Sequence, residues 1–364
     1  MNNFPSLLEG VLVNIWGGNK ERLDGRQLRD TRRAIAQIRA IYRFKGEHGT
    51  QQPSKINYRL KNKRAGYIAG FGERHAYLPY LQLREVNAIK PDAIPQPRGK
   101  KNELTVTSLG AGACIELYGI CLYYMGGNQQ PLYLNLNWVE REREWIPNRG
   151  YVFAKVLKES FPKLDIDPLD ICLDLREDNI IKLAQHYDRL LNTDILIIYN
   201  VLNEIPSGYT RHVWRNLKFL LDIFQKPVLI LMMEPSSDRA EPRIHPLKTQ
   251  LAQETNIITE SKVEQFVFNA APVCIEMNAS KECLNHRLFG IRIDGGRPPT
   301  FETTIRRSHM ACIKVPNSPI TMEQVSRQLF QLEAKRGRRG AFIAHRDYTG
   351  KQASFKDIDS QWNQ

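Results

Sequence analysis

From residue 104 onward, short apolar runs alternate with segments of helical period. The runs at 104–109, 132–139, 170–173, 195–199 and 228–233 have the length and continuity of buried strands. Apolar positions at 115–125, 152–161, 180–191 and 213–224 recur at helical spacing between them. Five strands alternating with four helices predict an α/β fold, a doubly wound and mostly parallel sheet. Residues 236–285 are less regular and read as an insertion. The runs at 289–293 and 310–315 fit two more strands, expected to be antiparallel.

Before residue 104 the period is helical. Over 25–44, Leu28, Ile35, Ile38, Ile41 and Tyr42 share one face, while Arg29, Arg32, Arg33, Arg39 and Arg43 cover much of the rest. A second basic stretch, 55–67, mixes Tyr58, Arg59, Lys61, Lys63 and Arg64, and Tyr77 and Tyr80 follow. Aromatic rings among guanidinium groups suit base stacking with phosphate contacts; equally, the tyrosines suit a helical cap packed on the next domain. Pro91, Pro95 and Pro97 with Gly99 mark a linker. The expected organisation is a basic helical N-terminal domain (1–98), the α/β domain (99–323) and a basic C-terminal extension (324–364).

Composition bounds the class. The chain has 364 residues, 42% hydrophobic and 25% charged, which excludes disordered and collagen-like chains. No apolar run reaches the roughly 18–20 residues of a membrane span, and the first residues lack the pattern of a signal peptide. The six cysteines show no paired spacing, which suits a reducing compartment. A cytoplasmic protein without membrane contact is expected. The net charge of +13 is concentrated at the ends: 1–101 hold 20 Lys/Arg against 8 Asp/Glu, and 324–364 hold 8 against 4. A polyanionic partner, nucleic acid first, is the expectation. The candidate phosphate-binding residues are Arg29, Arg33, Arg43, Lys61, Lys63 and Arg64, with Arg336, Arg338 and Arg339 in the tail.

The first strand runs into Ser108-Leu109-Gly110-Ala111-Gly112-Ala113-Cys114 and then a helix. Glycines there permit a tight turn and close approach of a ligand to the backbone. A dinucleotide site wants a third glycine, and that position is Ile115. S-adenosyl-L-methionine (SAM) has no pyrophosphate, so the shorter pattern suffices for it. The second strand ends at Glu140, where a carboxylate can accept from both hydroxyls of a ribose. The third ends near Asp174, placed to receive an adenine amino group. The fourth reads Asp194-Ile-Leu-Ile-Ile-Tyr199-Asn200-Val-Leu-Asn203-Glu204-Ile-Pro206, with polar groups at its carboxyl end.

Together these residues resemble a class I SAM-dependent methyltransferase. The 194–206 segment, with Glu234-Pro235 ending the fifth strand, is loosely similar to methyltransferase-like proteins that assemble the small ribosomal subunit in mitochondria and bacteria. The resemblance implies SAM as cofactor, held by Ser108, Gly110, Ala111, Gly112, Glu140, Asp174 and Asn200. It also implies RNA, ahead of DNA, or a ribonucleoprotein complex as partner. Ser108 stands where many such enzymes carry an acid, and Cys114 replaces a glycine. The alternatives are therefore a non-catalytic binding or assembly factor of this fold, and a small-molecule or protein methyltransferase. Neither a DNA adenine methyltransferase motif nor a cytosine C5 nucleophile follows the fourth strand; Asn200 is the one catalytic candidate. The assembly proteins carry a cysteine set for an iron–sulfur cluster, which makes Cys274, Cys283 and Cys312 candidate metal ligands. Three cysteines do not complete a four-cysteine site, and Cys312, in an apolar run, reads as a core thiol.

Overall fold

The computed structural model describes residues 4–17, 22–43, 56–126, 130–177, 179–235, 241–261, 266–269, 302–305 and 307–316, together with 324, 345–346 and 352–353. Residues Met1–Pro319 form one compact unit and Ile320–Gln364 a second. In the second unit His345–Arg346 pairs antiparallel with Gln352–Ala353.

The first unit opens with α1 (Phe4–Trp16) and α2 (Gly25–Arg43). Asp24 caps α2: its Oδ1 accepts from the N–H groups of Arg26 and Gln27, and Gln27 Oε1 accepts from the Asp24 N–H, each at 2.9 Å. The helical period of the sequence is realised, with Ala34, Ile35 and Ile38 buried and Arg26, Arg29, Arg32 and Arg33 exposed. Next come α3 (Lys61–Tyr67), a π-helical turn (Ile68–Gly72) and α4 (Glu73–Ile89).

The α/β part runs β1 (Glu103–Leu109), α5 (Leu117–Met125), β2 (Leu132–Glu140), α6 (Ile146–Tyr151), a π turn (Val152–Leu157), α7 (Lys158–Ser160) and β3 (Leu164–Cys172). It continues through α8 (Ile180–Ala184), α9 (Tyr187–Leu190), β4 (Ile195–Tyr199), α10 (Thr210–Ile223), β5 (Val228–Pro235), α11 (Glu241–Glu254) and β6 (Asn256–Ser261). Strands β7 (Phe266–Asn269) and β8 (Glu302–Ile305) pair with each other, and β9 (Arg307–Lys314) returns to the main sheet. Its seven strands are ordered β3-β2-β1-β4-β5-β9-β6. Strands β1 to β5 are mutually parallel, and β9 lies antiparallel between β5 and β6. Every residue of β4 is buried, as expected of a strand covered on both faces.

Two readings from the sequence change. Residues 241–261, taken for part of an insertion, form a crossover helix and the last strand of the sheet. Pro246 inside α11 and the polar Asn256-Ile-Ile-Thr-Glu-Ser hid the pattern. Strand β3 begins six residues earlier than 170. It is an edge strand, and its Asp165, Asp167 and Pro168 mask it as a loop.

The N-terminal helices and the sheet share one hydrophobic core, from Leu8 through Trp138 to Ala311. Gln82 of α4 is fully buried; its amide donates to the carbonyls of Met232 (3.3 Å) and Met310 (3.0 Å) and its Oε1 accepts from Tyr199 Oη at 2.6 Å. Tyr77 packs edge-on to Tyr118 of α5, with centroids 5.4 Å apart. Helices α4 and α5 cross at Gly119, where a Cβ would stand 2.6 Å from the Ala76 carbonyl oxygen and 2.9 Å from the Tyr80 nitrogen. Backbone cannot move aside as a flexible side chain does. Gly119→Val is therefore expected to destabilise the protein by about 1–3 kcal/mol or more. A denaturant melt showing no loss would overturn this account of the junction.

Candidate active site

A cleft opens at the carboxyl ends of the parallel strands, where the strand order reverses between β1 and β4. Its floor is the turn after β1. Gly110 and Gly112 adopt φ of +65° and +50°. At Gly110 a Cβ would lie 2.3 Å from Val201 Cγ2, so only glycine fits against the loop after β4. At Gly112 a Cβ would meet only the Trp145 ring, at 3.8 Å, which leaves the backbone open to the cleft. Two buried side chains hold the turn. Glu140 Oε2 accepts from the Gly112 N–H at 2.9 Å while its Oε1 accepts from the Glu142 N–H at 2.9 Å. Trp138 Nε1 donates to the Gly112 carbonyl at 3.0 Å. Burial raises the Glu140 pKa from its ordinary value, against the backbone N–H groups of Glu142, Gly112 and Arg141 and the Arg141 charge, which lower it.

The structure brings Gly110, Ala111, Gly112, Glu140, Asp174 and Asn200 to this one cleft. Asn200 follows β4 with φ +56°, a left-handed conformation that asparagine tolerates better than most residues. Its loop is fixed from β5: Glu234, fully buried, accepts the N–H groups of Val201 and Leu202, each at 2.9 Å. Asp174 lines the cleft, but its carboxylate is engaged by the Arg176 guanidinium and backbone N–H and lies 3.8 Å from Arg141. Burial would raise its pKa; the bonds from Arg176 reverse this and hold it below the usual value.

Ser108 is a correction. It is fully buried beneath the floor and does not reach the cleft; its Oγ donates to Glu116 Oε1 at 3.1 Å. Glu116, which the sequence reading passed over, does line the cleft. Burial pushes its carboxyl up to about 7, with Glu140 adding in the same direction. Its clue in the sequence was only its place at the start of α5, eight residues after Ser108.

The N-terminal segments supply the roof. Ile56, Tyr58, Tyr67, Ile68 and His75 face the cleft with Trp145. Tyr58 lies 5.5 Å from Tyr67 and 5.7 Å from Trp145 between ring centroids. Its hydroxyl donates to Glu204 Oε1 at 3.2 Å, and the Tyr67 hydroxyl is 3.0 Å from His75 Nδ1. The tyrosines therefore pack on the sheet domain as a cap. Arg64 is a second correction. It is turned inward, 6% exposed, with Nε donating to Asn148 and Nη1 to the carbonyls of Tyr58 and Arg59. It staples the roof and is not available to a phosphate. Arg29, Arg33 and Lys61 are exposed, and Lys63, half-buried, bonds Gln37. Arg59, from the basic 55–67 stretch, and Arg141, Arg176 and Lys182, which the sequence did not single out, surround a second opening beside the cleft together with Glu142, Asp174 and Glu177. The side chain of Arg43 and all of Arg336, Arg338 and Arg339 lie outside the described residues.

Cys274 and Cys283 also lie outside them. Cys312 is fully buried in β9, its thiol pushed up to about 12 by burial, as a core thiol should be. Among the described residues no group of three or more His, Cys, Asp or Glu is placed to hold a metal ion, and no helix is long and apolar enough to cross a membrane.

The strand order, the antiparallel β9 between β5 and β6, and a cleft over the β1 turn decide the architecture. The fold is that of the class I methyltransferases. No family model matches the chain, and no curated protein does. Among solved structures it is similar to a putative class I SAM-dependent methyltransferase from Listeria monocytogenes, with 10% identity over 92% of this chain and 99% of that one and a TM-score of 0.37. A putative methyltransferase from Bacillus halodurans matches at 11% identity over 65% and 99%, TM-score 0.31. Human N-acetylserotonin methyltransferase, solved with SAM, matches at 14% over 86% and 72%, TM-score 0.31. The geometry of this methyltransferase fold, not these distant matches, carries the site.

Glu116 links the cleft to pH. Its folded pKa is raised from 4.5 to about 7, so its ionisation works against the folded state. The stability that depends on its protonated form is complete below the unfolded value and is lost as pH rises through 7. The span corresponds to at most about 3 kcal/mol. In thermal melts the Glu116→Gln protein should lose less stability than wild type between acid and mildly alkaline pH. Parallel curves would show that Glu116 does not titrate in the cleft.

Proposed function

We propose that the chain binds SAM in this cleft and transfers its methyl group to an acceptor in a nucleic-acid or ribonucleoprotein context. The observation that carries the cofactor reading is the Gly110–Gly112 turn, open at Gly112, beside the Glu140 carboxylate. The Glu140 carboxylate lines the cleft, and beyond the backbone N–H bonds it accepts from Gly112 and Glu142 its two oxygens have lone pairs enough for a ribose diol. SAM, when bound, supplies an activated methyl on a sulfonium. The chain then has to orient the acceptor and exclude water, which is largely a matter of positioning. Asn200 at the β4 tip and the Tyr58, Tyr67 and His75 roof are placed for that work. The Tyr67–His75 pair also offers a relay for a proton leaving the acceptor.

The partner reading rests on charge. The exposed Arg26, Arg29, Arg32 and Arg33 of α2 suit phosphates, and Lys182 adds a cation at the second opening, where Arg59, Arg141 and Arg176 are ion-paired with Glu142 and Asp174. One observation favours a second reading, a small-molecule methyltransferase: the aromatic roof covers the cleft and would admit a small planar acceptor more readily than an intact helix of RNA.

Titration calorimetry tests the cofactor. Wild type should bind SAM, and Gly112→Ala should abolish or strongly weaken binding while costing the fold only about 1–2 kcal/mol for its left-handed backbone. An unchanged Kd in that variant, or no binding by wild type, would reject the assignment. For the partner, Arg29→Glu with Arg33→Glu should weaken RNA binding and flatten its log–log salt dependence by about 0.7–0.9 per lost phosphate contact. SAM binding should survive. A salt slope that does not move would favour the small-molecule reading.

A further inference from the structure

Glu116 is a carboxylate without a counter-charge. It is 8% exposed and faces the cleft from the first residue before α5. The side chain that hydrogen-bonds it, Ser108 Oγ at 3.1 Å, is neutral. The titratable groups around it are Cys114 on the turn, Glu140 at the tip of β2 and Tyr199 in β4. Among the described residues no Lys or Arg forms an ion pair with it. A carboxylate buried in a polar cleft at the cost of desolvation, with acids for neighbours, is a site for a cation that the chain does not itself supply.

Resting on the SAM reading, we propose that Glu116 is the receptor for the cofactor's α-ammonium, a specificity residue for its amino-acid end. The Ser108 hydroxyl, buried beneath the floor, donates to one oxygen of the Glu116 carboxylate and so fixes that group, which lines the cleft from the start of α5. The raised pKa of the free cleft agrees with this arrangement: an approaching cation would drive the proton off Glu116, and binding would release it.

Three ligands separate the possibilities: SAM, S-adenosylhomocysteine, which keeps the ammonium and lacks the sulfonium, and 5′-methylthioadenosine, which lacks both. Calorimetry of wild type and Glu116→Gln with all three is expected to show SAM and S-adenosylhomocysteine weakened together by about ten- to hundredfold. Methylthioadenosine should bind the two proteins alike. Wild type should also release a proton on binding SAM roughly one pH unit below 7, read from buffers of different ionisation enthalpy, and Glu116→Gln should not. Equal losses for all three ligands, or none, would overturn the proposal, and a loss confined to SAM would transfer the role to the sulfonium and overturn it too. Wild type that binds methylthioadenosine but not SAM also rejects the ammonium site, whereas wild type that binds none of the three rejects the cofactor reading itself. If Glu116→Gln does not fold, Glu116→Asp is compared with wild type; retained discrimination between SAM and methylthioadenosine supports the charge, and its loss overturns it.

Discussion

The Glu140 carboxylate, buried at the tip of β2, accepts the Gly112 N–H on one oxygen and the Glu142 N–H on the other. The turn after β1 is held from β2 by that bond and by the Gly110 and Ala111 N–H groups, which donate to the Val139 carbonyl at 2.8 and 3.3 Å. Without the carboxylate the Gly112 N–H would lose its partner within the protein, and leaving such a group unpaired costs about 1–3 kcal/mol where it is buried. With Glu140 in place and Trp138 holding the Gly112 carbonyl, the turn stays open between two strands that are themselves buried. Glu234 does the same for the loop after β4 through the Val201 and Leu202 N–H groups, and Val201 in turn packs against Gly110. Two carboxylates at strand tips thus fix both walls of the cleft, and neither is free to act as a mobile base. Glu140 both holds the turn and lines the cleft.

The helical N-terminal segments are part of the site rather than an appendage. Gln82 ties α4 to the backbone of β5 and β9 and to the Tyr199 hydroxyl of β4, and Gly119 lets α5 approach it at backbone distance. With α4 so fixed, His75 is held above the cleft, and Tyr58 and Tyr67 reach it from the preceding segments. Arg64 shows how a basic-looking motif can be structural. Its guanidinium satisfies two carbonyls and Asn148 inside the roof, lying over Trp145 at 5.9 Å, and its pKa is lowered by burial.

The alternation of buried strands and helices was legible because β4 and β5 read as continuous apolar runs and β1 and β2, over most of their length, place an apolar residue at every second position. Edges were not: β3 carries Asp165, Asp167 and Asp170 toward solvent and toward Lys158, Arg189 and Arg149, and β6 is short and polar. Strand-tip residues Gly110, Gly112, Glu140 and Asn200 were also legible, since polar or glycine residues ending an apolar run have few other reasons to be there. Side-chain direction was not. Ser108 and Glu116 exchange roles because the first lies within the strand and the second at the start of a helix, a difference of orientation that spacing does not encode. The aromatic roof could not be assigned either, because its partners are 70 to 150 residues away: Tyr58 bonds Glu204 and packs on Trp145.

Charge is segregated in this molecule, and the segregation follows from the fold. The first 101 residues are strongly basic, yet the cleft they roof is lined by Glu116, Glu140, Glu142, Asp174 and Glu204 against Arg141 and Arg176. Asp174 and Glu142 are spoken for, the first by Arg176 and the second by Arg59 and Arg141 at 3.0 and 2.8 Å. That neutralises the outer rim, where the cations also face the second opening. The inner carboxylates, Glu116 and Glu140, have only neutral hydrogen-bond donors, and both are driven toward protonation by burial. A cation entering the cleft favours the ionised forms of these two groups, and an anion opposes them. The inside of the cleft therefore suits a ligand that is cationic at its buried end, which is the electrostatic counterpart of the missing third glycine at Ile115.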